Sequence, residues 1–184
     1  MKDRHPIPND VDPCTVLFQK DRIYQHNILR INYTTYDVRR SQDVVNASTS
    51  HCNVIFLADP TEDVNSTCAH PFRYARVLGV YHVNVVYVGP GMANRQPRRL
   101  EFLWVRWYRT LDTVRTGWDV RKLDQVEFVP MTEDDAFGFM DPSDVLRGCH
   151  IIPVFVKGRR HADGMGLSYC AGDSSDWVAY YINR

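Results

Sequence analysis

Cysteine and histidine stand close together at three places in the sequence, where their side chains could bind a metal ion. These places are His51-Cys52, Cys68-Ala69-His70 and Cys149-His150. Structural zinc sites usually use two closely spaced pairs such as Cys-x-x-Cys, and a directly adjacent His-Cys pair is poorly placed to hold one tetrahedral ion. We therefore predict buried or incidental cysteines and no cofactor. The alternative left open is zinc at His51, Cys52, Cys68 and His70.

The other reactive residues do not follow a catalytic pattern. Cys149 and His150 would be a nucleophile and its base, but neighbours on a strand point to opposite faces of a sheet. Acidic residues that could hold catalytic metal ions cluster in turns, at Glu133-Asp134-Asp135, Asp173 and Asp176. The sequence also lacks the motifs GxSxG, HExxH, GxGxxG and the Walker loop. The sequence therefore predicts a protein that is not an enzyme.

Basic residues are concentrated between positions 95 and 122, where tryptophan and tyrosine alternate with them. Such a strip could hold a phosphate backbone while the aromatic rings stack on bases. The candidate residues for nucleic acid are Arg95, Arg98, Arg99, Arg109, Arg115, Arg121 and Lys122. Lys and Arg number 22 and so do Asp and Glu, so the chain has no overall basic character. A solvated arginine-bearing face is the simpler interpretation, and DNA or RNA binding is the alternative.

Length and composition are typical of one folded domain with a core of its own. The chain has 184 residues, of which 44% are hydrophobic and 24% charged. We expect a flexible, proline-bearing lead-in over 1–13 and a single β-rich domain over 14–184. The cysteines form no CxxC pair and no apolar signal segment is present, which predicts an intracellular protein with reduced thiols. No apolar run is long enough to span a membrane, so no membrane association is expected.

Alternating apolar residues and turn signals predict a mainly β fold. Strands are expected over 28–36, 53–57, 74–88, 100–108, 151–156 and 177–182, with one more inside 117–129. Gly79 marks a bend or bulge in the long strand, and the strand over 100–108 is apolar on both faces and therefore central. Residues 37–50 are expected to form a loop or short helix. Asp141-Pro142 and Gly148 are typical of the start and end of a short helix.

The order of YARVLGVY, LEFLWVRWYRTLDT and CHIIPVF resembles the bromo-adjacent homology (BAH) domain. That family carries a strand of the form V-x-V-x-W-[FY]-[FY]-R-P-x-[ED]-T and a later K-C-x-V strand. Trp107-Tyr108-Arg109-Thr110 lies close to the first motif and Gly148-Cys149-His150-Ile151 to the second, although Thr110 replaces the proline. The resemblance implies a BAH-like or SH3-like, partly open β-barrel over about 53–156, with a short helix and extensions at both ends.

The same resemblance implies an aromatic cage for a methylated ammonium group, held by cation–π attraction. The candidates are Tyr74, Tyr108 and Trp118, with Asp112 as the carboxylate partner. Trp104 and Trp107 lie on opposite faces of one apolar strand, so we assign them to the core. The implied partner is a histone tail or another chromatin protein, and the implied location is the nucleus.

A second resemblance covers most of the chain. The strings INYTTYDVRRSQD, RYARVLGVYHVNV, EFLWVRWY, FGFMDPSDVLRGCHIIPVF and DWVAYYINR are similar to a region found in mushroom-type fungi. That region accompanies proteins of Plavaka and Kyakuja-Dileera-Zisupton DNA transposons. This resemblance implies an accessory domain of a transposon-derived protein. The functions to be weighed are thus a chromatin-binding module, a DNA- or RNA-binding domain, and a structural docking domain of a longer chain.

Overall fold

The computed structural model of the chain describes residues 12–35, 37, 39–58, 70–91, 95–111 and 123–183. Most of these residues lie in eleven strands. The strands are β1 Val16–His26, β2 Leu29–Thr34, β3 Arg40–Val45, β4 Asn53–Leu57, β5 Phe72–Tyr87, β6 Arg98–Thr110, β7 Gln125–Phe128, β8 Phe137–Met140, β9 Val145–Gly148, β10 His150–Pro153 and β11 Tyr180–Asn183. Short 3-10 turns lie at Pro13–Thr15, Pro142–Asp144, Phe155–Lys157 and Asp173–Ser175. Residues 1–11 of the expected lead-in are outside the described ranges.

One antiparallel sheet curls into a nearly closed barrel. Its strands follow the order β10-β11-β7-β6-β5-β4-β9, and β9 and β10 are consecutive in the chain. Cys149 joins those two strands, and its N–H donates to the carbonyl of Asn53 on β4 at 2.9 Å. The two ends of the sheet therefore meet at one bend of the chain. This confirms the prediction of a mainly β fold with a partly open barrel.

The long strands β5 and β6 extend beyond the barrel as an arm. Val77 pairs with Val105, and the next pair is Gly79 with Trp104, so Leu78 is an extra residue in β5. This confirms the predicted bulge. A Cβ on Gly79 would lie 2.3 Å from the Tyr81 ring, which explains why glycine occupies this position. Beyond the bulge β1 joins the other edge of β5, so the arm has three strands.

Two cores lie on opposite faces of the sheet. The inner core fills the barrel with Ile55, Tyr74, Tyr108, Val126, Phe128, Cys149, Tyr180 and Ile182. The outer core forms where the β2–β3 hairpin, through Ile31 and Val45, packs against Phe56, Val105 and Trp107. The strand β6 is therefore central and covered on both faces over its second half, as predicted. Leu100, in its first half, is exposed.

Three expectations about local structure are wrong. Residues 40–45, expected in a loop or helix, form β3, because Val45 enters the outer core and pairs with Leu29. The expected helix over 141–148 is only a 3-10 turn capped by Asp141, and its second half is β9, which pairs with β4. Finally, the strand β11 is part of the barrel rather than an extension of it, because it pairs with both β10 and β7.

Candidate functional site

A buried ionic network occupies the barrel interior. Nη1 of Arg76 lies 2.9 Å from Oδ1 of Asp176, and Nη1 of Arg106 lies 2.5 Å from Oδ2 of the same carboxylate. Both guanidinium groups also lie over the ring of Phe128, at 4.4 and 3.9 Å. Nε of Arg106 is buried and has no hydrogen-bond partner within the described part of the chain. Within the described part of the chain, these two cations are therefore paired with one carboxylate inside the barrel.

The cage candidates Tyr74 and Tyr108 belong to this interior. They pair across β5 and β6, and Tyr108 is only 6% exposed. Its ring stacks on Phe128 at 4.1 Å, and its hydroxyl donates to Oδ1 of Asn53 at 3.0 Å. Burial raises the pKa of Tyr108 well above its usual value. Tyr108 therefore does not line an exposed cage, since its face of β6 closes into the barrel. Trp118 and Asp112 lie outside the described residues.

The predicted basic strip does not form one surface among the described residues. Arg95, Arg98 and Arg99 lie exposed at the far end of the arm. Arg109 lies ten positions after Arg99 on β6, which corresponds to about 33 Å of extended strand. It pairs instead with Glu127 at 2.9 Å and Glu133 at 3.2 Å. The remaining candidates, Arg115, Arg121 and Lys122, lie outside the described residues.

The cysteines and histidines are distributed among different contacts. Burial raises the pKa of the Cys52 thiol, and it raises the pKa of Cys149 to about 12. The ring centroids of His51 and His150 lie 5.5 Å apart, in an edge-to-face contact. Nε2 of His70 lies 3.2 Å from Oδ2 of Asp124. Among the described residues, no three His, Cys, Asp or Glu side chains are grouped to hold a metal ion. Cys68, the remaining member of the possible zinc set, is outside these residues.

The arm carries an exposed apolar surface that the sequence analysis did not identify. Strand pairing places its members on one face: Phe18, Ile23, Tyr81, Leu100, Phe102 and Phe139. Ile23 is 55% exposed and Phe139 is 71% exposed. The ring centroid of Phe102 lies 5.5 Å from that of Tyr81 and 5.7 Å from that of Phe139, and Val83 pairs with both Ile23 and Leu100, so the layer of apolar groups runs across the three strands. We call this surface the arm face.

Four basic side chains surround the tip of the arm. Lys20 and Arg22 lie in a bulge of β1, where Phe18 pairs with Val85 and the next pair is Ile23 with Val83. Lys20 has a φ of 61° and Asp21 a φ of 49°, an uncommon conformation for residues other than glycine.

Arg95 and Arg98 lie across the arm from this bulge, and none of the four basic residues forms an ion pair within the described ranges. We call Lys20, Arg22, Arg95 and Arg98 the basic tip.

The opposite face of the arm carries a histidine pair. Nε2 of His26 lies 2.6 Å from Nδ1 of His82, and the Tyr24 ring stacks on His82 at 4.7 Å. Desolvation, with the nearby charges of Arg99 and His26, lowers the pKa of His82. Because one imidazole must donate this hydrogen bond and the other accept it, the contact requires at least one neutral ring. The pairing of β1 with β5 is therefore linked to histidine protonation.

Comparison with known proteins gives no relative from which a function can be transferred. No protein-family model matches the chain, and no curated protein or solved structure matches it. Within the described ranges, no helix combines the length and the hydropathy needed to cross a membrane.

Proposed function

We propose that the chain is a non-enzymatic interaction module that binds a protein partner through the arm face. The observation that carries this proposal is the exposure of large apolar side chains in one continuous layer. Contiguous exposed apolar surface is uncommon on proteins that act alone and marks sites of association. Burying it in an interface would stabilise the complex by about 25 cal/mol for each Å² removed from water.

The free edge of β1 suggests how a partner would bind. Among the described residues β1 pairs only with β5, so its outer edge presents backbone donors and acceptors. An extended segment could add to this edge as a further strand while its side chains pack on Phe18 and Ile23. The bulge over 19–22 interrupts the edge, so the added strand would pair with 16–18 or with 23–26 and not with both in one register.

A chromatin partner and a nuclear location are supported by the two resemblances described above. The charge of the arm further indicates what charge the partner carries. The basic tip lies beside the arm face, and cationic groups repel a basic segment and attract an acidic one. Together with the burial of the cage candidates Tyr74 and Tyr108, this favours a chromatin protein with an acidic, apolar segment over a basic histone tail that carries a methylated lysine.

Nucleic acid is a second candidate, and the basic tip is the observation that favours it. Its four cationic side chains are exposed, and the exposed Phe18 lies in the same row of the sheet as Arg98, since both pair with Val85. Cations of this kind bind phosphates, and adjacent aromatic rings can stack on unpaired bases. This binding would weaken steeply with added salt, whereas binding through the arm face would weaken little.

The experiment compares binding to mononucleosomes with binding to naked DNA of the same sequence, using fluorescence anisotropy of the labelled DNA. An arm-face variant carries Phe18→Ser and Leu100→Ser, and a tip variant carries Arg95→Ala and Arg98→Ala. The control is Leu57→Ser, an exposed residue of β4 outside both surfaces.

Loss of nucleosome binding in the arm-face variant alone supports the protein-binding proposal. Equal binding to naked DNA, lost in the tip variant alone, supports nucleic acid. Binding that both variants retain contradicts both candidates.

A further inference from the structure

The segment 158–178, on a different part of the molecule from the arm, is a closed loop. The N–H of Val178 donates to the carbonyl of Gly158 at 3.2 Å, and the N–H of Arg160 donates to the carbonyl of Asp176 at 2.8 Å. Arg159 and Trp177 form a bridge between these contacts. The ends of the loop are therefore held together, as in compact surface loops that carry function.

A buried carboxylate organises the middle of this loop. Asp173 is fully buried and accepts the N–H of Leu167 at 2.7 Å and of Ser168 at 2.9 Å. Nε2 of His161 lies 3.3 Å from the same carboxylate. A Cβ at position 166 would lie 2.4 Å from Oδ1 of Asp173, so Gly166 allows the backbone to close around it. Although burial opposes the charge, these backbone donors lower the pKa of Asp173. The loop is thus fixed by its own polar groups.

The rigid loop directs apolar side chains outward. Leu167, whose N–H is bound by Asp173, is 76% exposed, and Tyr169 is 100% exposed. Met165 is exposed beside them, and its N–H donates to Asp163 at 3.0 Å. At the base of the loop, Phe155 is exposed and contacts the Trp177 ring at 5.0 Å. Because the loop backbone is already held in place, a partner that covers these side chains does not have to order the loop as well.

The charges around this surface indicate which kind of partner it can bind. Lys157, Arg159 and Arg160 lie at the base of the loop, and Asp163 is the exposed acidic residue of its middle. Arg160 approaches Glu127 at 3.7 Å, while Arg159 lies over the Trp177 ring at 5.4 Å. A second copy of the chain would bring the same cations against each other in a two-fold interface. An acidic segment, in contrast, would complement them.

We propose that the loop over 158–178 is a second docking surface, which binds an acidic peptide segment that carries apolar or aromatic side chains. Met165, Leu167 and Tyr169 pack against the apolar side chains of the peptide, while Lys157 and Arg159 pair with its carboxylates. This surface is separate from the arm face and does not depend on the function proposed for it.

The test is selection of binders from a synthetic array of 12-residue peptides of mixed composition, with affinities of selected peptides measured by fluorescence anisotropy. We expect selected peptides to be rich in Asp or Glu together with Leu, Phe or Trp. The variant Leu167→Ser with Tyr169→Ser should bind them at least tenfold more weakly. Both residues are exposed, so this variant should fold as the parent does. Leu57→Ser, an exposed residue of β4 that lies outside the arm face and the loop, is the matched control and should bind with unchanged affinity.

A second variant tests the role of loop order. Asp173→Asn removes the charge that binds the loop backbone, and we expect faster amide exchange at 167 and 168 with at least a fivefold loss of peptide affinity. Three results would overturn the proposal. They are selected peptides that are basic or lack apolar residues, binding that both loop variants retain, and loop-dependent binding to phosphatidylserine vesicles in place of peptides.

Discussion

Arg106 and Asp176 lie 70 positions apart in the chain and form a buried ion pair inside the barrel. Arg76 binds the other oxygen of the same carboxylate, so one acidic group compensates two cations. Asp176 lies near the end of the closed loop over 158–178, just before β11. The ion pair therefore joins the last part of the chain to the central strands of the sheet.

Replacement of Asp176 by Asn should strongly destabilise the fold. The change leaves the guanidinium groups of Arg76 and Arg106 without their carboxylate in the barrel interior. Removal of one partner of a buried ion pair costs about 3–5 kcal/mol. Urea unfolding followed by far-UV circular dichroism measures this loss. The matched control is Glu133→Gln, which removes a partner of the half-exposed Arg109 and should cost less than about 1 kcal/mol. Equal effects of the two changes would contradict a buried network.

Tyr108 should contribute to stability through its hydroxyl as well as its ring. In Tyr108→Phe the ring stays on Phe128, but Oδ1 of Asn53 loses its donor inside the barrel. Such a loss costs about 1–3 kcal/mol. Tyr169→Phe is the comparison, because Tyr169 is fully exposed and its change should be nearly neutral. If Tyr108 instead formed an exposed ligand cage, Tyr108→Phe would leave the free energy of unfolding unchanged. The Tyr108 ring would then also be accessible to an added fluorescence quencher.

Acid should weaken the pairing of β1 with β5. The ordinary pKa of histidine is 6.5, and desolvation, followed by Arg99 and His26, lowers the pKa of His82 in the folded chain. Below pH 6.5 the unfolded chain therefore binds more protons at this position than the folded chain does. The free energy of unfolding should fall as the pH drops below that value.

The measurement for His82 is urea unfolding at pH 7.5 and pH 5.5, with amide exchange at 23–26 as a local readout. Other groups also titrate in this interval, so the informative quantity is the difference between the parent and His82→Gln. We expect a smaller pH dependence in the variant. An identical pH dependence in the two proteins would show that the histidine pair has no part in it.

The sequence predicted those parts of the fold that depend on local pattern. The apolar runs of β4, β5 and β6 and the bulge at Gly79 follow from alternation and from the need for a residue without a Cβ. β3 was missed because it is a polar strand, in which only Val45 is buried. The turn at Asp141 was correctly placed, but pairing with β4 outweighed the helical signal after it.

The candidate site was harder to predict because it depends on contacts between distant parts of the chain. Whether Tyr108 faces solvent is decided by the bend at Cys149 and by β11, which closes the barrel over its ring. The arm face arises because β1 aligns with β5 and brings Phe18 and Ile23 onto the same face of the sheet as Leu100. No local pattern records either alignment. The charged run Lys20-Asp21-Arg22 inside an apolar segment was the available signal for the bulge.

Whether the arm face binds a protein is decided by one ratio, that of the mononucleosome affinities of the arm-face and tip variants. Burial of Phe18 and Leu100 in an interface would contribute about 1.5–3 kcal/mol for each side chain. We therefore expect at least a tenfold weaker mononucleosome affinity for Phe18→Ser with Leu100→Ser than for Arg95→Ala with Arg98→Ala, at physiological salt. Equal affinities, or a greater loss in the arginine variant, would contradict it.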